Sequence, residues 1–332
     1  MKHTNVALFV VHEGCPHLCS FCNQRTISGN SKRVTPEDIH SAVKIAVASP
    51  NFAKGEGEIA FFGGSFTMIE RNYMLSLLET AYEYVANGTF KGIRISTRPD
   101  GIDEEICNIL SQYGVSAVEL GAQSLDDYVL SLNRRGHTAD DVIKASKLIK
   151  KYGFELGLQM MTGLYGSGDA DSIETAEKII ALHPATVRIY PTVVLEGTEL
   201  CRLYENGEYL PPDVEATVSL CAKLLEMFRK ANIKVIRLGL HSGGNVDEGF
   251  VAGCYHPALR ELCESRIYFE MTLDALRSKG VENGTAEIYV NPRELSKFVG
   301  QKRTNISSLA ALGYNVTVKT DENLQEYQIY IK

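Results

Sequence analysis

The stretch VALFVVHEGCPHLCSFCNQRTISG, residues 6–29, sets a short apolar run directly before a loop that carries three cysteines. Val6 to Val11 is continuous, β-branched and short, which predicts a buried strand. Cys15, Cys19 and Cys22 then follow the spacing CxxxCxxC, among Gly14, Pro16 and Gly29, residues that mark a loop. Three thiolates on one flexible loop can converge on an iron–sulfur cluster, whereas a structural zinc site needs a fourth ligand. The remaining cysteines, Cys107, Cys201, Cys221, Cys254 and Cys263, contain no CxxC pair that would complete a zinc ribbon. They are expected to be buried and inert. His17 is available as a fourth zinc ligand, so spacing alone leaves iron–sulfur, zinc and chance proximity open.

The whole chain narrows these readings. Its 332 residues, 44% apolar and 23% charged, suit one large domain plus a small one. The first apolar run lies behind a single lysine and lacks a small-residue cleavage site, so it reads as a strand rather than a signal peptide. No eighteen apolar residues run together, so no membrane span is expected and the chain is read as cytoplasmic. In that compartment a tight cysteine cluster serves metal or catalysis more often than disulfides. A formal charge of −7 disfavours indiscriminate binding to nucleic acid or acidic membranes, while leaving room for a local basic patch.

Further strands are predicted at 58–62, 93–97, 117–120, 156–161 and 187–190, alternating with helical periodicity. Thr35-Pro36-Glu37-Asp38 reads as a helix cap, a first-turn proline and first-turn acids. Similar helical patterns fill 71–85, 104–113, 140–152, 172–182 and 215–231. Six strand-then-helix units predict an α/β fold, a partial (βα)6 TIM-like barrel with helices outside and the cysteine loop after its first strand. Sites in such barrels lie at the C-terminal strand ends. There the sequence places FFGGSFT with Gly63 and Gly64, STRPD with Arg98, ELGAQS with Gln123, RRGHT with Arg135, LGLQMM with Gln159, and YPT before TEL. Taken singly, each has a structural explanation: a tight turn, a surface cation or a hydrogen-bonding amide.

Together these blocks resemble the radical S-adenosylmethionine (SAM) superfamily, in the branch of the Elongator catalytic subunit, over about residues 4–270, including LGLHSG at 238–243 and HPALREL at 256–262. The resemblance implies a 4Fe-4S cluster on Cys15, Cys19 and Cys22, with SAM as ligand to the open iron. It also implies an external low-potential electron donor and a 5′-deoxyadenosyl radical that abstracts hydrogen from carbon. It further implies cofactor contacts for Arg98, for Phe21 beside the adenine, for Gly63 and Gly64 at the methionine amino group, for Gln123 and Gln159 at the ribose, and for Arg135 at the methionine carboxylate. The glycine motif departs from the family pattern in ending on Ser65, which keeps a backbone role and removes a carboxylate.

Beyond Leu276 the pattern becomes strand, short helix, GQKR turn, helix, strand, strand. That order is similar to a KH domain, whose GXXG turn clamps a nucleic-acid backbone. The expected division is therefore 1–276 for the barrel with its extension and 277–332 for a small α+β, KH-like domain. Candidate RNA contacts are Lys297, Gly300, Gln301, Lys302 and Arg303, although Arg303 stands where the motif has its second glycine. No acetyltransferase-like region follows, unlike the Elongator subunit. The favoured function is RNA modification, with tRNA as the substrate. The alternatives are a haem- or tetrapyrrole-binding iron–sulfur protein, or a radical SAM enzyme acting on a small metabolite with a merely structural tail. Oligomeric state is not legible.

Overall fold

The computed structural model describes residues 5–10, 15, 19–23, 32–240, 246–281 and 284–332. His17, the alternative zinc ligand, lies outside the described residues, as do 241–243 of the LGLHSG block.

The main sheet is parallel throughout and runs in chain order: β1 (Val6–Val10), β2 (Glu58–Gly63), β3 (Gly92–Thr97), β4 (Val115–Gln123), β5 (Glu155–Thr162), β6 (Thr186–Pro191) and β8 (Lys234–Leu238). The connecting helices are α1 (Pro36–Val47), α2 (Arg71–Ala86), α3 (Glu104–Gln112), the pair α4 (Asp127–Leu132) and α5 (Ala139–Lys151), α6 (Asp169–Ala181), α7 (Glu199–Glu205) and α8 (Val214–Lys230). The predicted cap of α1 is a full capping box: Asp38 N donates to Thr35 Oγ1 and Thr35 N donates to Asp38 Oδ2, with Pro36 in the first turn. Burial alternates along the strands. Phe61, Leu120, Leu158, Val187 and Ile189 are buried with the helices in one core, while Phe62, Gly121, Gln159, Arg188 and Tyr190 on the opposite face stay half-exposed.

The expected α/β half-barrel is present, with β8 adding a seventh strand to the six units read from the sequence. Only Val235 and Leu238 of its five residues are buried, too short an apolar pattern to stand out from the C-terminus of α8. A second unforeseen element is the antiparallel pair of β7 (Val193–Leu195) and β9 (Phe250–Gly253), the latter following α9 (Val246–Gly249).

α10 (Leu259–Ser278) connects to the C-terminal module of β10 (Gly284–Val290), α11 (Leu295–Val299), α12 (Thr304–Ala311), β11 (Tyr314–Thr320) and β12 (Ile329–Ile331), in the order read from the sequence. Its sheet is mixed, ordered β11-β10-β12, with β10 parallel to β11 and antiparallel to β12. α10 belongs to both parts: Cys263 and Ile267 lie in the main core, whereas Tyr268, Leu273 and Leu276 pack with Ile288, Phe298 and Leu309. The border expected at 276/277 falls inside this helix.

Candidate active site at the C-terminal ends of the strands

The described part of the cysteine loop is braced from both sides. Ser20 N donates to Asn133 O at 3.1 Å and Ser20 Oγ to Asn133 Oδ1 at 2.8 Å, while Leu200 N donates to Ser20 O at 2.7 Å. Asn23 Nδ2 donates to Glu196 O at 3.0 Å. Asn133 is fully buried and its own amide donates to Val129 O and Tyr165 O. Asn133 is the functional residue that reading the sequence missed, although it sits in the same SLNRRGH block that drew attention to Arg135.

Arg135 follows Asn133 on a tight turn in which Arg134 and Gly136 both have positive φ, 53° and 70°. Its Nη1 donates to Cys19 Sγ at 3.1 Å and its Nη2 to Gly121 O at 2.6 Å. Nε is buried without an acceptor among the described residues, as is Arg98 Nη1. Arg98 is otherwise held by a fork to Asp100, Nε to Oδ1 and Nη2 to Oδ2, both at 2.9 Å. Its backbone N–H donates to Ser65 Oγ, which also meets Thr97 Oγ1 at 2.8 Å, so the ends of β2 and β3 are tied together. Gly63 has φ of +110°, and a Cβ there would stand 2.8 Å from Val10 O, so close strand contact alone requires glycine. Gly64 N donates to Val10 O.

At the end of β4 a bulge puts Gln123 at φ of 67°, a conformation that costs a non-glycine residue on the order of 1 kcal/mol. The kink aims its amide at β5, where Gln159 Nε2 donates to Gln123 Oε1 at 3.0 Å. Phe21 is half-buried and packs on the cluster of Val194, Leu200 and Tyr209.

Cys15 is exposed, Cys19 and Cys22 are half-buried, and none of the eight cysteines forms a disulfide. Desolvation, then the nearby Cys19, push the Cys15 thiol upward, with Ser65 N–H, Arg98 and Arg135 opposing. Burial, then Cys19 and Cys15, push Cys22 up to about 12. The three sulfurs therefore share one electrostatic neighbourhood. They are not drawn into a ligating arrangement: among the described residues no group of three or more His, Cys, Asp or Glu could hold a metal ion. In donor chemistry they fit a 4Fe-4S cluster, and the unpartnered Arg135 Nε and Arg98 Nη1 fit an anionic ligand beside it. The other five cysteines are buried, as expected.

The candidate RNA contacts divide. Lys297 is drawn inward, 3.0 Å from Glu294, 3.1 Å from Glu264 and 3.5 Å from Glu326. Lys302 and Arg303 are exposed on the turn, both at positive φ, 51° and 64°. Gly300 packs so closely on α10 that a Cβ would meet Ser265 Oγ at 3.0 Å and Thr304 Oγ1 at 2.5 Å. Gln301 is half-buried.

A curled parallel sheet with thiols, guanidinium groups and amides gathered at its C-terminal edge defines an α/β half-barrel of the type that houses a cofactor at its mouth. The chain belongs to the Radical SAM superfamily, a family of enzymes whose signature matches residues 9–179; the Radical SAM C-terminal domain matches 184–268. It is 37% identical over 133 residues to the tRNA uridine(34) acetyltransferase of Methanocaldococcus infernus, covering 38% of this chain and 24% of that protein. It is 25% identical over 282 residues to the enzyme of the same name from Dehalococcoides mccartyi, covering 71% and 61%. Among solved structures, archaeal Elp3 from Methanocaldococcus infernus with residues 1–46 deleted shares the fold, with TM-score 0.64 and 23% identity over 85% of this chain and 64% of that one. The chain thus matches less than two thirds of the length of these proteins. Among the described residues no helix is long and apolar enough to cross a membrane.

Proposed function

We propose that this chain is a cytosolic radical SAM enzyme that abstracts hydrogen from a nucleotide in RNA, with tRNA as the favoured substrate and an external low-potential electron donor. Cys15, Cys19 and Cys22 hold the 4Fe-4S cluster. When bound, the cluster and SAM supply the radical chemistry; the chain's own residues bind, orient and shield. The observation that carries the reading is Arg135, whose guanidinium is fixed on Gly121 O and Cys19 Sγ with Nε left over for the carboxylate of SAM. Arg98 supplies a second unpartnered donor nearby. Gln123 and Gln159, already joined, offer amides to the ribose hydroxyls, Phe21 an aromatic edge to the adenine, and Gly63 and Gly64 open backbone to the methionine amino group. The names of the relatives support a tRNA substrate. So does the C-terminal module, which has the element order of a KH-like domain and presents Lys302 and Arg303 on its turn. Lys297, balanced by three carboxylates, supports that turn from within rather than adding to its outward charge.

Anaerobic reconstitution with iron and sulfide tests the cluster assignment. One 4Fe-4S cluster per chain is expected, lost in each of Cys15→Ala, Cys19→Ala and Cys22→Ala, together with reductive cleavage of SAM to 5′-deoxyadenosine. A full cluster in the triple variant would overturn the ligand assignment. Mass spectrometry of tRNA nucleosides from cells with and without the chain tests the substrate; identical nucleosides would return the choice to a small metabolite.

A further inference from the structure

The inner face of the main sheet carries a charge that the cofactor site does not use. Strand register sets Gly121, Gln159, Arg188 and Arg237 in one row across β4, β5, β6 and β8. Gly121 contributes no side chain, and the other three are half-exposed, so the row borders open space. One row deeper the charges are closed off. Arg94 reaches Glu58 at 2.7 Å, Glu155 at 2.8 Å and Glu119 at 3.3 Å, and Glu119 is shared with Arg188 at 2.6 Å. Arg188 also lies 4.9 Å over the Phe62 ring and donates from Nη1 toward Tyr190 Oη at 3.4 Å. Phe9, 41% exposed, packs on Phe62 at 6.1 Å between ring centroids.

Arg237 differs. Its Nε donates to Gly239 O at 2.8 Å, and among the described residues no carboxylate pairs with it. The neighbouring Arg188 meets both oxygens of Glu119, Nε at 2.6 Å from Oε2 and Nη2 donating to Oε1 at 2.9 Å, and Glu119 is itself shared with Arg94. Among the described residues, Glu58, Glu119 and Glu155 on this face are therefore taken up by Arg94 and Arg188. An unmatched guanidinium beside another, partly withdrawn from water, is unfavourable unless an anion joins them. Desolvation and the charge of Arg188 accordingly hold Arg237 below the ordinary arginine value, with Tyr190 opposing. The guanidinium of Arg237, with no carboxylate paired to it among the described residues, suits an oxyanion, to which Arg188 adds positive charge from the adjacent strand.

We propose that Arg188 and Arg237 bind an oxyanion of the substrate, a phosphate or a carboxylate, on the inner face of the half-barrel. Phe62, in contact with Arg188, and Phe9 beside it form the apolar border of this site. This rests on the reading of that face as the substrate chamber, and it makes the substrate an anion held at the β6–β8 side of the sheet.

The test is calorimetric titration of the reconstituted full chain, saturated with SAM, with inorganic phosphate and separately with malonate at constant ionic strength. One of the two is expected to bind saturably, phosphate if the group is a nucleotide phosphate and malonate if it is a metabolite carboxylate. Arg237→Gln should weaken that binding ten- to a hundredfold and Arg237→Lys should restore part of it, whereas Lys144→Gln, at an exposed cation on the outer helix α5, should leave it unchanged. Arg237 is half-exposed and outside the buried ion pairs, so its replacement leaves the Glu58–Arg94–Glu119 group intact. Failure of both anions to bind, or equal affinity in the wild type and Arg237→Gln, would overturn the proposal. Because the titration reads heat rather than turnover, its failure is distinguishable from a failure of hydrogen abstraction, which the tRNA nucleosides report.

Discussion

Arg135 is the side chain on which the candidate site turns. Its donors are divided among Cys19, Gly121 and unfilled space, so Arg135→Ala is expected to lower SAM affinity by one to two decades, the equivalent of one charge-assisted contact. Equilibrium binding on the reconstituted protein measures this, with iron content unchanged. Two residues further on, His137 is buried with Nε2 3.2 Å from Ala122 O. Desolvation, then the charges of Arg135 and Arg98, hold its imidazole at about 4 against an ordinary 6.5; Asp100 and the Ala122 carbonyl pull the other way. The unfolded chain therefore takes up this proton below about 6.5 while the folded chain resists until about 4, and stability falls as pH drops through that window. From pH 7 to pH 5 the loss from this group is about 2 kcal/mol. His137→Gln should flatten the pH dependence of urea unfolding by that amount; an unchanged slope would show that the histidine is already charged in the folded state.

At the scale of elements, β2, β3, β4, β5 and β6 are joined across their inner face by Glu58, Arg94, Glu119, Glu155 and Arg188. Burial raises the Glu58 carboxyl, but hydrogen bonding and charge from Arg94 outweigh it and leave the group below its ordinary value. Removing one partner of a buried pair strands the other, at a cost of about 3–5 kcal/mol. Arg94→Met is expected to lose stability on that order in denaturant unfolding. Replacing the exposed Lys144, paired with Asp140 across one helical turn, should change it by less than about 1 kcal/mol. A small effect at Arg94 would mean that Lys91, 3.6 Å from Glu58, and Ser116 suffice to hold that carboxylate.

For the whole molecule, the decisive element is α10, whose two ends lie in two cores. A cut after residue 276 would expose Tyr268, Leu273 and Leu276, so the link between the C-terminal module and RNA is better tested by charge than by deletion. Lys302→Glu with Arg303→Glu in the full chain should weaken tRNA binding and flatten its salt dependence, since fewer counterions are released. Uncoupled SAM cleavage should be unchanged, because the turn lies on a separate core from the cysteine loop. Equal tRNA affinity in parent and variant at several salt concentrations would remove this turn from RNA binding.

Apart from the candidate cofactor residues, which only a resemblance to a family nominates, the sequence by itself determined the alternation of strands and helices, the capping box at Thr35 and the cysteine loop after β1. Each is written in local spacing: apolar period, cap chemistry, three thiols in eight positions. Only the tertiary structure decided what those residues face. Lys297 counts as a free cation along the chain, yet Glu264 and Glu326, thirty-three residues before it and twenty-nine after it, take up its charge. Asn133 looks like any polar turn residue until the cysteine loop folds onto it. Arg188 and Arg237 are 49 positions apart and become neighbours only through the register of β6 and β8. Charge balance and hydrogen-bond satisfaction depend on distance in space, which the order of residues along the chain does not specify.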